Sequence, residues 1–236
     1  MDSEFLRTTG SDFTLWGLVH SLEAMPSDGM PDETFYIKFA EQGGVLTFPS
    51  ALDAEIYCQR LSAAGMDGWR RQRLEQIDLA KIMAAVPQAD RRLMLALGFF
   101  ASDANVLLLD EDQTLITALL PVPFDMQHSL HGVSQLRLKA EVPDFIHAWW
   151  EKAGGFGYAN QINSLEGWTD HALKKCASEA LGKAPLTGLK QYNKIWQNVG
   201  AGFGDECALF VPDTGEWRFS TLGDERNRSI QCCLSI

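Results

Sequence analysis

Three glycines, Gly200, Gly202 and Gly204, run into Asp205, Glu206 and Cys207 in the stretch QNVGAGFGDEC, residues 197–207. Two chemistries use such a string. A phosphate cradle needs glycine so that backbone N–H groups can close on an anion, and it stands between a strand and the N-terminus of a helix. Here helical periodicity ends near Val199 and strand character begins near Cys207, so an anion would meet a helix C-terminus and two carboxylates, and no phosphate-loop lysine follows. The glycines read as a helix stop and a connector. The second chemistry is attack by a thiol. A dispersed hydrolase site would draw on Cys207 with Asp205, and on His171 or His147 as base, because such sites leave no fixed spacing. Asp205 and Glu206 oppose it by disfavouring the thiolate. His171 and Cys176 fall on different faces of a helix and make no ready pair.

His128 and His131 could share a metal on a helix, but zinc sites need a third ligand and no spacing supplies one. Asp110, Glu111 and Asp112 lack the glycine and distal glutamate of a calcium loop and read as an exposed hairpin turn, whose acidity makes them candidate contacts for a cationic partner. Neither metal nor cofactor is expected. The one basic island is WRRQR, with Trp69, Arg70, Arg71 and Arg73, near Arg91 and Arg92. On a strand these arginines divide between faces, as a charged edge does to block self-pairing; their functional reading is the docking of an acidic segment. Trp149 and Trp150 lie about 100° apart on a helix, which brings one towards the surface as a partner anchor.

The elements that must position these residues follow from periodicity. SDFTLWGLVHSLEAMP predicts a helix from Ser11 through Leu15, Leu18, Val19 and Leu22, closed by Pro26. TFYIKFA and VLTF predict a hairpin across EQGG. Ser50 and Asp53 form a capping box for a helix through Leu52, Ile56 and Leu61, stopped near Gly65. WRRQRLEQI is extended, and Asp78 caps a short helix, LAKIMAAV. The apolar run within residues 88–101 does not by itself separate helix from strand; a helix is favoured. NVLLLDEDQTLITALLPV predicts a second hairpin.

Residues 127–142 are weakly patterned and mark a junction between a mixed hairpin and helix subdomain, 1–126, and a helical segment with a C-terminal hairpin and strand, 143–236. In the latter, PDFIHAWWEKAGG, TDHALKKCASEALG and LKQYNKIWQNVG predict helices, CALFVPDTGEWRFST a hairpin and SIQCCLSI a last strand. The expected fold class is α+β, antiparallel hairpins with packed helices, divisible into two subdomains.

Composition narrows the function classes. Hydrophobic residues make up 46% and charged residues 22% of 236, which supports a packed core. The net charge of −11 repels phosphate backbones and anionic lipid, so nucleic acid and membrane are poor partners. Five cysteines without C-x-x-C spacing, and an N-terminus without a signal pattern, predict a cytoplasmic protein. The expected function is non-catalytic binding of a cationic protein, as an adaptor, regulator or toxin-neutralising immunity-type factor. The competing expectation is the Cys/His/Asp hydrolase.

Overall fold

The computed structural model describes residues 7–9, 14–20, 33–39, 42–79, 82, 91–102, 105–123, 125–128, 134–139, 141–188 and 206–221. The first half contains β1 (Arg7–Thr9), β2 (Trp16–His20), β3 (Glu33–Thr34), β4 (Tyr36–Phe39), β5 (Gln42–Phe48), α1 (Ala51–Ala63), β6 (Trp69–Arg73), β7 (Arg92–Ser102), β8 (Val106–Leu109) and β9 (Thr117–Pro123). The rest contains β10 (Asp125–His128), β11 (Ser134–Arg137), α2 (Glu141–Lys152), α3 (Tyr158–Ser164), α4 (Asp170–Lys183), β12 (Leu186–Gly188), β13 (Glu206–Val211) and β14 (Glu216–Thr221). The fold is α+β. An eleven-stranded mixed sheet follows the order β12-β8-β7-β5-β2-β3, with β4, β6, β9, β13 and β14 attached to it, and β1-β11-β10 form a smaller sheet.

The large sheet buries both faces. Val19, Val45, Leu93, Leu95, Leu97, Cys207 and Leu209 pack on one side with Ile146 and Trp150 of α2 and Tyr158 and Ile162 of α3. Leu18, Leu46, Phe48, Ala96, Phe99, Ala208 and Phe210 pack on the other with Leu52, Ile56 and Leu61 of α1 and Leu173, Ala177 and Ala180 of α4. Alternation assigns neighbouring residues to opposite layers, and since both layers are apolar, the strands carry continuous hydrophobic runs.

That burial overturns two expectations. Trp16–His20 is strand β2, not part of a helix: Leu15 and Val19 enter one core and Leu18 the other, a division that happens to imitate helical spacing. Residues 92–102 are likewise strand β7, whose first half pairs β5 in parallel and β9 antiparallel. The register of β7 with β9 shifts between Ala96 and Phe99, where Gly98 takes φ +142°. Before this bulge the odd residues Leu93, Leu95 and Leu97 face α2 and α3; beyond it Phe99 and Ala101 face α1 and α4. One inserted residue has changed the side on which odd positions lie.

The helix caps follow the sequence. The Ser50 hydroxyl accepts from Asp53 N at 3.2 Å at the start of α1. At its end Gly65 takes φ +84°, its N–H reaching the Ser62 carbonyl and that of Met66 the Leu61 carbonyl, the paired bonds of a Schellman stop. The 35–48 hairpin forms as β4 and β5, WRRQR forms β6, and the C-terminal hairpin forms β13 and β14. Helices α2 and α4 form where predicted, with Pro143 in the first turn of α2 and Thr169 capping α4. The hairpin expected at 105–122 is reduced to a corner: Leu109 at the end of β8 bridges Leu115, just before β9, and β8 and β9 then each pair with β7. Within the expected junction, β10 and β11 pair antiparallel. The expected helix at 189–200, the glycine string at 200–205, the expected strand at 229–236 and most of the helix after Asp78 lie outside the described residues.

Candidate functional site

A polar cluster occupies the interior where α1 begins. Asp53 stands in the first turn of α1, 2% exposed. Tyr158, the first residue of α3, is equally buried and points its hydroxyl at the carboxyl group, 3.4 Å from each oxygen. Ser50 is fully buried beside them, and so is Cys207 of β13, whose thiol Asp53 helps to hold up. The indole N–H of Trp149 on α2, buried and without an oxygen or nitrogen acceptor among the described residues, lies against the Cys207 sulfur. Gly98 completes the packing: a Cβ there would sit 2.8 Å from Cys207 Sγ.

Burial sets the protonation of this cluster. Desolvation pushes the Asp53 carboxyl up to about 7, against the opposing bonds from Tyr158 and Ser50. Desolvation likewise pushes the Cys207 thiol up to about 12, only partly offset by Trp149, and does the same to Cys58 in α1. The cluster therefore holds a neutral thiol and a carboxyl poised near neutrality, in a space lined by apolar side chains. Iodoacetamide at pH 8 is expected to leave Cys207 and Cys58 unmodified in the native protein and to modify both in denaturant, read by peptide mass mapping. Rapid native labelling of Cys207 would restore the nucleophile reading.

The residues singled out in the sequence are dispersed. Cys207 lies within electrostatic reach of Asp53, whereas Asp205 lies outside the described residues. His171 is exposed in the first turn of α4, and His147 on α2 stacks edge-on against Trp150 at 6.3 Å. Asp110 builds its own turn, accepting from Thr114 N at 2.7 Å and Thr114 Oγ1 at 2.5 Å, while Glu111 and Asp112 are exposed beside it. His128 ends β10 and His131 lies outside the described residues, among which no group of three or more His, Cys, Asp or Glu side chains could hold a metal. Among the described residues no helix is long and apolar enough to cross a membrane.

Arg71 and Arg73 share one face of β6, both over the Trp16 ring, at 4.9 and 5.6 Å from its centroid. Arg71 is nearly buried and bonds Glu55 and Asp170; Arg73 pairs with Glu75 at 3.5 Å. The acidic segments that this island engages belong to the chain itself. Trp150 is buried, its Nε1 donating to the Leu97 carbonyl at 3.2 Å, and Trp149 is half-buried beside Phe145.

The exposed aromatic surface lies elsewhere. Phe156, in the turn between α2 and α3, is 73% exposed, and Trp168, between α3 and α4, is 38% exposed. They bracket α3, whose outer positions Asn160, Asn163 and Ser164 are exposed and polar. The motif GGFGY, residues 154–158, was a sequence signal for Phe156, since glycines on either side of an aromatic leave it no element to pack in. Asp53 had been legible only as a capping residue. A groove of about 380 Å³ lined by Lys183, Pro185, Gly215, Glu216, Trp217 and Phe219 opens at the end of α4. Its polar groups serve the fold: Lys183 Nζ donates to the Gly215 carbonyl and Trp217 Nε1 to that of Ala180. Comparison of the chain with protein-family models found no match, and neither did comparison with curated proteins or with solved structures.

Proposed function

We propose that this chain acts by binding a cationic protein partner, without covalent chemistry, through the surface that surrounds α3. The observation that carries this reading is the exposure of Phe156 at 73%, with Trp168 across the same short helix. Large aromatics at the centre of an interface supply much of its binding energy. Acidic Glu151 and Glu166 are exposed on either side, and the overall charge of −11 draws a cationic surface towards the chain before contact is made. An adaptor, a regulator and a toxin-neutralising factor all fit this description.

The test is capture from the native lysate with the wild-type chain and with a Phe156→Ala/Trp168→Ala variant as bait. A basic protein is expected on the wild-type bait at low salt, lost as salt rises, and reduced at least about tenfold on the variant. Equal recovery by both baits, or nothing on the wild type at low salt, overturns the reading. Phe156→Ala alone should fold within about 0.5 kcal/mol of wild type; Trp168 has more than half of its surface covered, so the urea midpoint of the double variant is read alongside, and Phe156→Ala serves as the bait if that midpoint falls.

A further inference from the structure

The sealed carboxyl of Asp53 has fewer hydrogen bonds than its charge would need. An ionised carboxylate offers about four acceptor positions. Among the described residues its side-chain partners are one tyrosine hydroxyl, shared at 3.4 Å between both oxygens, and the Ser50 hydroxyl. Among the elements that enclose it is α3, which supplies Tyr158. It is a seven-residue helix entered through Gly154, Gly155 and Gly157, with φ +76° and +70° at the first and last, and its N-cap makes no side-chain bond. Its buried anchors are Tyr158 and Ile162.

We propose that Asp53 is a proton-operated latch on α3: protonated, it lets Tyr158 seal the core, and ionised, it favours an open form in which α3 lifts and water reaches the carboxylate. The opening would move the turn that carries Phe156, whatever that turn binds. From α2 the nearby titratable group is His147, edge-on to the Trp150 ring at 6.3 Å, which in turn meets the Tyr158 ring edge-on at 5.2 Å; a pH dependence that came from His147 would persist in Asp53→Asn. From α3 the facing group is Tyr158, and from β13 it is Cys207; burial keeps both neutral across the physiological range. Arg71 of β6 and Asp170 and Lys174 of α4 also pack near α1, but they engage Glu55 and one another. Glu166, in the turn Leu165–Gly167, bonds the Thr14 hydroxyl. The first turn of α1 favours the anion through its aligned N–H groups, which makes ionisation reachable instead of forbidden.

Amide hydrogen exchange tests the latch, with intrinsic rates corrected for pH. Between pH 6 and pH 8 the protection of residues 158–164 in the wild type is expected to fall about tenfold, because the closed form binds one proton that the open form releases. Residues 93–97 of β7 should keep theirs. In Asp53→Asn, which is permanently neutral, the protection of α3 should be the same at both pH values. Constant protection of α3 in the wild type overturns the proposal, as does an equal fall throughout the chain or a dependence that persists in Asp53→Asn. Carboxyl 13C NMR of the wild type gives a check that needs no variant: an Asp53 resonance titrating near 4 would also overturn it.

Discussion

Gly98→Ala is expected to destabilise the protein by on the order of 3 kcal/mol or more, read as a lower urea midpoint with an unchanged slope. Two independent costs add at this position. At φ +142° any residue with a Cβ is strained, a penalty of about 1–3 kcal/mol. The new methyl would also stand 2.8 Å from Cys207 Sγ, 2.9 Å from Leu209 Cδ2 and 3.1 Å from the Ala208 carbonyl oxygen. These atoms belong to β13, which is itself paired to β7 through Phe99, Phe100 and Ala101, so it cannot retreat without breaking that ladder. Overpacking of this kind costs a further 1–3 kcal/mol or so. The effect should spread beyond the local contact. If the bulge were lost, Phe99 and Ala101 would turn from the α1 and α4 side to the α2 and α3 side, and two cores would be mispacked together. Stability equal to wild type would show that β7 does not need its bulge.

Gly98 also explains why the sequence was misread here. RLMLALGFFAS carries no alternation because β7 is buried on both faces, and its one glycine looks like a weak point in a helix when it is the hinge of a strand. The same reasoning covers β2, where Leu15, Leu18 and Val19 serve two cores from a strand yet keep helical spacing. Segments ending in local signals were legible. Ser50 with Asp53, Gly65 and Thr169 each mark a helix end through bonds made within a few residues, and Pro143 marks the first turn of α2 because it has no N–H to leave unpaired there. The polar cluster was not legible, because its members come from α1, α2, α3 and β13, and nothing local records that Asp53 meets Tyr158 across 105 positions. Capping acids are commonly hydrated; only the tertiary packing seals this one. For the surface, the sequence pointed to paired tryptophans, while the fold turns Trp150 inward and leaves Phe156 outside.

Arg71→Ala is expected to cost about 3–5 kcal/mol, although its neighbours in WRRQR look like a solvated basic patch. The guanidinium is 10% exposed and its Nε lies 3.2 Å from Oε2 of Glu55, which is 7% exposed; it also bonds Asp170 and covers the Trp16 ring. Removing it leaves Glu55 buried with Gln59 Nε2, at 3.2 Å, as its remaining side-chain donor among the described residues, and it strips three elements, β6, α1 and α4, of their shared contact. Removing both charges should be far milder. The Glu55→Gln/Arg71→Met pair is expected to lose less than the two single changes together, by a coupling of roughly 1–3 kcal/mol in a double-mutant cycle. Asp170→Asn should cost at most about 1 kcal/mol: it is 64% exposed, so its direct pairs with Lys174 and Arg71, which hold its carboxyl below the usual carboxylate range, are screened by solvent. These outcomes separate a structural arginine from a docking one. A residue held ready for a partner would lose binding on substitution and leave the urea midpoint in place, whereas here the midpoint should fall first, and additive single and double variants would show that Arg71 and Glu55 do not depend on each other.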